Sequence, residues 1–140
     1  MPKFLVAVDG SECSMRAVGH AAKVAAQTAN SQIHLVNVQY PLHGTVSTFV
    51  SAAQIKAMHQ EEGMKALDPA RAQLDAAKVA HEYHLFVGDP AETVTRYAKE
   101  QGVDEIIIGT RGLSNLSNML IGSVANKIIH QSTVPVTLIK

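Results

Sequence analysis

The sequence predicts an α/β fold, a single domain over residues 1–140 with a five-stranded parallel sheet and helices on both of its faces. Short runs rich in Val, Ile and Leu alternate with segments of helical periodicity along the whole chain, in the order β-α-β-α-β-α-β-α-β. Parallel neighbouring strands need long crossover connections, and the helical segments supply them. A chain of 140 residues is also long enough to bury one core without disulfides or metals.

Five segments are predicted to be strands. Four of them are continuous apolar runs, which is typical of strands buried on both faces, and the third in chain order is weaker and more polar. The predicted strands are 4–8, 33–38, 84–87, 106–108 and 134–139. Residues 41–50 are predicted to form a longer loop beside the sheet.

Helix-start signals place the helices between these strands. The helical segments are 13–29, 51–79, 90–102 and 123–131. Ser11 or Glu12 is placed to start the first helix. Asp89 can cap the third, Pro90 suits its first position, and Glu92 can reach back to complete a capping box.

The second helical segment contains a proline. Pro69 lies inside the alanine-rich stretch 51–79, and a proline in a helix interior removes a hydrogen bond and crowds the preceding turn. We therefore expect a break or kink near Leu67, or a restart capped by Asp68.

The composition excludes several classes of protein. Lys plus Arg equals Asp plus Glu, at 12 each, so the chain lacks the basic excess of nucleic-acid binders. No run approaches the roughly 20 apolar residues that span a bilayer, and the opening run 4–8 is too short for a signal peptide. The one cysteine, Cys13, cannot form an intrachain disulfide, which favours a reducing compartment. We expect a cytoplasmic protein that binds neither nucleic acid nor membranes.

The segment that carries the chemistry is a strand followed by a glycine-rich loop and a helix start. Its residues in order are Gly109, Thr110, Arg111 and Gly112 and then, after nine residues, Gly122, Ser123, Val124 and Ala125. Backbone amides and a helix N-terminus converge at the end of such a strand and favour an anion. Glycines let phosphate or ribose approach the main chain, and Arg111 is the only cation in the first part of the loop. Each glycine taken singly is better explained as a turn or loop-end residue.

The spacing Gly-x2-Gly-x9-Gly-Ser in this segment resembles the ATP-binding signature of the universal stress protein family. The resemblance covers essentially the whole chain. Similar segments are the first strand with its aspartate, 4–11, the second strand, 34–38, the turn 88–90 and the last strand, 134–136. The resemblance implies a Rossmann-like sheet of strand order 3-2-1-4-5, in which the winding reverses between strands 1 and 4 and a ligand is expected.

The resemblance also implies a role for each site residue. Asp9 would hydrogen-bond the adenine edge, and Ala7 and Val38 would line the adenine slot. The residues expected to wrap the ribose and phosphates are Gly109, Thr110, Arg111, Gly112, Ser114 and Asn115, and those expected to close on the phosphates are Gly122, Ser123, Val124 and Ala125. The implied ligand is ATP with Mg²⁺, with ADP or AMP as alternatives. Asp9 could instead cap the turn before Ser11, and we favour the ligand role.

Other phosphate-binding and metal-binding classes fit less well. A Walker loop needs a lysine that is missing before Ser123, and a receiver domain needs two adjacent acidic residues where only Asp9 stands. The loop after the first strand has only a superficial likeness to that of ATP pyrophosphatases. The seven histidines are dispersed, with His81 and His84 the closest pair, so we predict locally bonded histidines and no metal site. Cys13 is predicted to be a small packed residue.

The function that we favour is a nucleotide-binding regulatory module of the stress response. ATP would order the loop 112–122 and so change the surface offered to partners. No general base is paired with an oriented nucleophile, so the chain is not predicted to be an enzyme. A slow ATPase or adenylyl-transferring enzyme, and a structural dimer module with a vestigial pocket, stay open as alternatives. The resemblance implies a homodimer through the last strand, and the apolar run 134–139 with Pro135 is typical of a covered sheet edge.

Overall fold

Five parallel strands form one sheet in the order β3-β2-β1-β4-β5, which confirms the predicted fold class and strand order. The computed structural model describes residues 1–42, 49–112 and 121–140. In chain order its elements are β1 (Lys3–Ala7), α1 (Glu12–Ala26), β2 (Gln32–Gln39), α2 (Ala52–Ala76), β3 (His81–Val87), α3 (Pro90–Glu100), β4 (Glu105–Gly109), α4 (Ser123–Gln131) and β5 (Val136–Ile139). No helix within these ranges is long and apolar enough to cross a bilayer.

Two apolar cores lie on opposite faces of the sheet. Because side chains alternate along a strand, Phe4 and Val6 of β1 face α1 and α2, while Leu5 between them faces α3 and α4. Leu67 of α2 and Ile128 of α4 are both fully buried, one in each core. The helices therefore cover both faces, as the sequence predicts.

The predicted starts of α1 and α3 are largely confirmed. Ser11 caps α1, and its hydroxyl accepts a hydrogen bond from the Ser14 backbone amide at 3.1 Å. Asp89 caps α3 by accepting from the Glu92 amide at 2.9 Å, with Pro90 in the first position. Of the two bonds of a capping box, these described residues make only that one, because the Glu92 carboxylate lies 3.8 Å from Arg96 instead. Ser11, not Glu12, starts the first helix.

The predicted break near Leu67 is wrong, since α2 continues without interruption from Ala52 to Ala76, through Pro69. Leu67 and Leu74, on either side of the proline along the helix, are both fully buried and hold the two flanking turns on the sheet. The carbonyl that loses its partner belongs to Lys65, an exposed residue, so water can satisfy it. Packing therefore overrides the local preference for a break, and no restart at Asp68 is needed.

Replacing Pro69 by alanine should stabilise the protein. The substitution restores a helical hydrogen bond at an exposed position and removes the clash with the preceding turn, and the greater freedom of the unfolded chain offsets part of this gain. We expect the free energy of unfolding to rise by about 1–2 kcal/mol in urea denaturation. Pro41→Ala, in an exposed loop, is the matched control and should give no gain. An unchanged or lowered stability of Pro69→Ala would show that the helix is bent to suit the proline.

The two edge strands explain where the strand predictions were least accurate. β3 begins at His81, three residues before the predicted start, and β5 begins at Val136, two residues after it. Since β3 lies at one edge of the sheet, its residues are partly exposed and include Glu82 and His84 as well as apolar side chains. The apolar run that marks a buried strand is therefore short in β3.

Candidate functional site

A crevice with a cavity of about 410 Å³ opens at the carboxyl ends of β1, β2 and β4. β1 lies between β2 and β4, so the winding of the sheet reverses at this point. Ligands of open α/β sheets bind outside the carboxyl ends of the strands at such a switch point. The beginnings of α3 and α4 complete the walls.

Every sequence-predicted site residue within the described ranges lines this crevice. These residues are Ala7, Asp9, Val38, Gly109, Thr110, Arg111, Gly112, Gly122, Ser123, Val124 and Ala125. Ser114 and Asn115 lie outside the described residues. Chain segments about a hundred positions apart in sequence thus meet around one cavity, as the strand order requires.

The structure adds lining residues that the sequence analysis did not single out. They are Val8, Ser14, Val36, Asn37, Gln39, Tyr40, Pro90, Val94 and Ile108. Asn37 is the most informative, because it is a buried amide at the end of an apolar strand. Its Nδ2 donates to the Val8 carbonyl at 2.7 Å, and its Oδ1 accepts from Gln39 at 2.8 Å, which ties β2 to the end of β1. The sequence signal that could have identified Asn37 is the presence of a polar residue inside a predicted buried strand.

Asp9 holds a turn and also faces the glycine loop. Its Oδ1 accepts a hydrogen bond from the Ser11 backbone amide at 2.9 Å, so the structural cap considered in the sequence analysis is present. Its Oδ2 lies 2.6 Å from the position that a β-carbon on Gly112 would occupy. One carboxylate oxygen is therefore committed to the turn, while the other lies against the loop that follows β4.

A close approach within the protein requires the glycine at position 109, and Gly112 lies against the end of the Asp9 side chain. A β-carbon on Gly109 would lie 2.8 Å from the Cys13 sulfur and 3.0 Å from its carbonyl carbon. At Gly112, the Asp9 carboxylate occupies the space that a side chain would need. At Gly109 the group that approaches closely is the first turn of α1, which is a packing requirement beyond the predicted approach of a ligand.

Gly109→Ala should destabilise the fold, because the methyl group meets main-chain atoms that a side-chain rotation cannot move. We expect a loss of about 1–3 kcal/mol in the free energy of unfolding, measured by urea denaturation. The double variant Cys13→Ala/Gly109→Ala relieves the contact with sulfur but not the contact with the carbonyl, so it should stay less stable than Cys13→Ala. Equal stability of Gly109→Ala and the wild type would contradict this packing account.

The N-terminus of α4 opens into the crevice without a side-chain cap. Its N-cap residue is Gly122, which makes no side-chain hydrogen bond, whereas Ser11, Ser51 and Asp89 cap the other described helices. The Gly122 amide donates to the Thr110 carbonyl and so fixes the helix start to the end of β4. The amides of the first helical turn have no partner within the helix, and the helix dipole adds positive potential there. This arrangement suits an anion.

Cys13 packs beneath the crevice and is not among its described lining residues. Its thiol donates to the Ile139 carbonyl at 3.1 Å. Burial by itself raises the pKa of Cys13, but hydrogen bonds from Arg111 and Thr110, together with the charge of Arg16, outweigh burial and leave the pKa lowered. The buried and hydrogen-bonded thiol agrees with the predicted small packed residue.

The prediction that the histidines are dispersed is wrong for two of them. His34 and His84 lie together with Glu82 on one face of the β2–β3 pair, outside the crevice lining. His81 is bonded locally, with its Nδ1 2.8 Å from the Val79 carbonyl oxygen, as the sequence analysis predicts.

Comparison with known proteins places this architecture in one family. The whole chain, residues 1–140, matches the universal stress protein family model. Universal stress protein YxiE of Bacillus subtilis is 31% identical over 146 residues, which cover 99% of this chain and 98% of the relative. The solved structure of the protein MJ0577 of Methanocaldococcus jannaschii superposes with a TM-score of 0.86 at 28% identity, covering 99% and 95% of the two chains. A universal stress protein in complex with cAMP superposes with a TM-score of 0.75 at 27% identity, covering 99% and 97%. The chain belongs to the universal stress protein family.

Proposed function

We propose that the crevice binds an adenine nucleotide, ATP with Mg²⁺, and that the protein is a nucleotide-responsive regulatory module and not a dedicated enzyme. The observation that carries the proposal is the uncapped N-terminus of α4 at a crevice of about 410 Å³ lined by every described residue of the predicted site. A cavity of this size lies within the range of about 300–1,000 Å³ that is usual for small-molecule sites.

The phosphates are proposed to lie at the start of α4. The amides of Ser123, Val124 and Ala125 belong to the first turn of this helix and line the crevice. Arg111 lines the same wall and supplies a positive charge. Backbone donors and a helix dipole together make an anion site that needs no side-chain contact.

The adenine is proposed to lie at the opposite end, between β1 and β2. Ala7 and Val38 give apolar walls there, and Asp9 offers a carboxylate oxygen to the exocyclic amine. The structural relative solved with cAMP supports an adenine ring and at least one phosphate as the ligand class.

Mg²⁺ fits this site only as an ion carried by the nucleotide. Asp9 is the only carboxylate among the described lining residues, and one of its oxygens is used in the turn before Ser11. Mg²⁺ commonly keeps several waters and binds through substrate phosphates plus one or two carboxylates. The phosphates would therefore hold the ion, and when bound it would neutralise part of their charge.

Mass spectrometry of the nucleotide released from the purified, denatured protein identifies the ligand. We expect ATP, and recovery of AMP or cAMP in its place would overturn the triphosphate part of the proposal. A thermal-shift series with added nucleotides is the companion measurement, because a ligand at 100 times its Kd should stabilise the protein by about 2.7 kcal/mol. The absence of any shift with adenine nucleotides would favour a structural dimer module with a vestigial pocket.

The regulatory role is proposed because the described crevice residues contain no base paired with an oriented nucleophile. Nucleotide binding would change the conformation of the loop 112–122. Its end residues, Gly112 and Gly122, lie beside the start of α4. Hydrogen exchange with and without ATP should show protection gained in this stretch. Single-turnover kinetics distinguish the alternative, since rapid hydrolysis or adenylyl transfer without a partner would make the protein an enzyme.

The protein is also proposed to form a homodimer through β5. This strand is an edge of the sheet, and its residues Val136–Ile139 are only partly buried in the single chain. An apolar edge strand is normally covered, and Pro135 precedes the strand where it costs no ladder bond. Light scattering at micromolar concentration should give the mass of a dimer, and a monomer would remove this part of the proposal.

A further inference from the structure

Three metal-ligating side chains lie together near the β3 edge of the sheet. His34 on β2 and Glu82 on β3 are direct partners in the parallel register, and His84 is two residues further along β3. Because side chains alternate along a strand, all three stand on the same face, the one that α3 covers. One ligand atom from each residue lies within 4.8 Å of the other two.

The spacing of the ligand atoms suits a small tetrahedral cation. Nδ1 of His34 is 2.9 Å, and Nε2 of His84 is 3.2 Å, from Oε1 of Glu82. A tetrahedral zinc ion with bonds of about 2.0–2.1 Å separates its ligand atoms by about 3.3 Å. The side chains of Glu82 and His84 are 45% and 33% exposed, so both can turn to bring the two nitrogens closer and both leave the site open to water.

His34 has hydrogen-bonding capacity that the described protein atoms do not fill. The residue is 2% exposed, and its Nε2 has no partner among the described atoms. If Nδ1 carries the proton, a buried acceptor is left unpaired. If Nε2 carries it, a buried donor is left unpaired and the Nδ1 lone pair faces the Glu82 carboxylate. In the second case, a cation bound between the Nδ1 lone pair and the Glu82 carboxylate would remove the repulsion between them.

Aromatic rings pack around the cluster on the side that α3 covers. The rings of His34 and His84 stack with centroids 6.0 Å apart, and Tyr97 of α3 lies 5.1 Å from the His84 ring. The hydroxyl of Tyr97 is 2.9 Å from Nδ1 of His34.

We propose that His34, Glu82 and His84 form a binding site for a divalent transition-metal ion, best matched by Zn²⁺. Two imidazole nitrogens and one carboxylate are a donor set that zinc accepts, with water in the fourth position toward the exposed β3 edge. When the ion is bound, Nδ1 of His34 and the Glu82 carboxylate each bind the metal instead of facing one another. Nε2 of His34 would keep its proton without an acceptor, so we expect an affinity about 10–100-fold below that of zinc sites with a complete outer shell.

Isothermal titration of the chelator-treated, nucleotide-free protein with zinc chloride tests this site. We expect one saturable site per chain, and a four-coordinate absorption spectrum when Co²⁺ is used as the probe. His84→Phe keeps the ring stack but removes a ligand nitrogen, and Glu82→Gln keeps the shape but removes the charge. Each should weaken zinc binding at least tenfold, whereas His130→Phe, at an exposed position on α4, should bind as the wild type does.

Equal zinc affinity of His84→Phe and the wild type, or no saturable binding by the wild type, would overturn the proposal. Circular dichroism of each variant establishes that the fold is kept, and Glu82→Gln leaves all the rings in place if His84→Phe does not fold. Zinc binding should also survive Gly122→Val, because the cluster lies outside the crevice lining. Loss of zinc binding in that folded variant would assign the ion to the crevice instead.

Discussion

Gly122→Val should weaken ATP binding by at least about 100-fold while leaving the fold intact. A β-carbon at this position lies 3.3 Å from the Thr110 carbonyl oxygen and 3.6 Å from the Arg111 α-carbon, which is tight but within reach of small shifts. The two γ-methyl groups of the valine would then lie at the start of α4, where the phosphates are proposed to bind. Losing two charge-assisted hydrogen bonds, at about 1.5–3 kcal/mol each, accounts for a change of that size.

Isothermal titration with ATP measures this loss, and urea denaturation reports on the fold. Gly19→Ala, at a glycine of α1 outside the crevice lining, is the matched control and should bind ATP normally. Adenosine lacks phosphates, so its affinity should not change in Gly122→Val. Normal ATP binding by the folded variant would mean that the phosphates lie elsewhere.

Asp9→Asn should lower ATP affinity by about 10–100-fold with little change in stability. The asparagine oxygen can still accept from the Ser11 amide, which is 2.9 Å from Oδ1 of Asp9. Its amide group, however, presents a donor where the proposed adenine amine needs an acceptor. A hydrogen bond to a charged group contributes about 1.5–3 kcal/mol, which sets the expected loss. Titration with ATP and with adenosine should show the same loss, because the change lies at the base and not at the phosphates.

Asp9→Ala separates the two roles of this side chain. It removes the turn bond as well as the proposed ligand contact, so both stability and affinity should fall, with a stability loss of about 0.5–2 kcal/mol. If Asp9→Asn binds ATP as the wild type does while Asp9→Ala is merely less stable, Asp9 is only a structural cap.

The fold and most of the crevice could be predicted from the sequence because local patterns and topology point to the same arrangement. Apolar runs predict the positions of the strands, and Ser11 and Asp89 predict two helix starts. The strand order then brings Asp9 and Gly112 together. The strands and helix starts depend on residue type and periodicity, which the sequence contains directly, whereas the strand order is what the family resemblance implies.

Features that depend on long-range packing could not be predicted in the same way. The continuity of α2 through Pro69 depends on burial of Leu67 and Leu74, which exists only once the helix lies on the sheet. The partnership of His34 with Glu82 depends on the register between β2 and β3, and no local pattern fixes the register of two parallel strands joined by a helix. The same limit applies to the close contact between Gly109 and Cys13, which exists only once α1 is packed against β4.

The most direct test of the central claim is an amide-resolved NMR titration of the ¹⁵N-labelled protein with Mg²⁺ and ATP. Phosphates at the start of α4 should shift the amide signals of Ser123, Val124 and Ala125 along one saturable curve shared with the Asp9 region. Saturable shifts confined to other parts of the protein, or unmoved signals for the first turn of α4, would contradict the account.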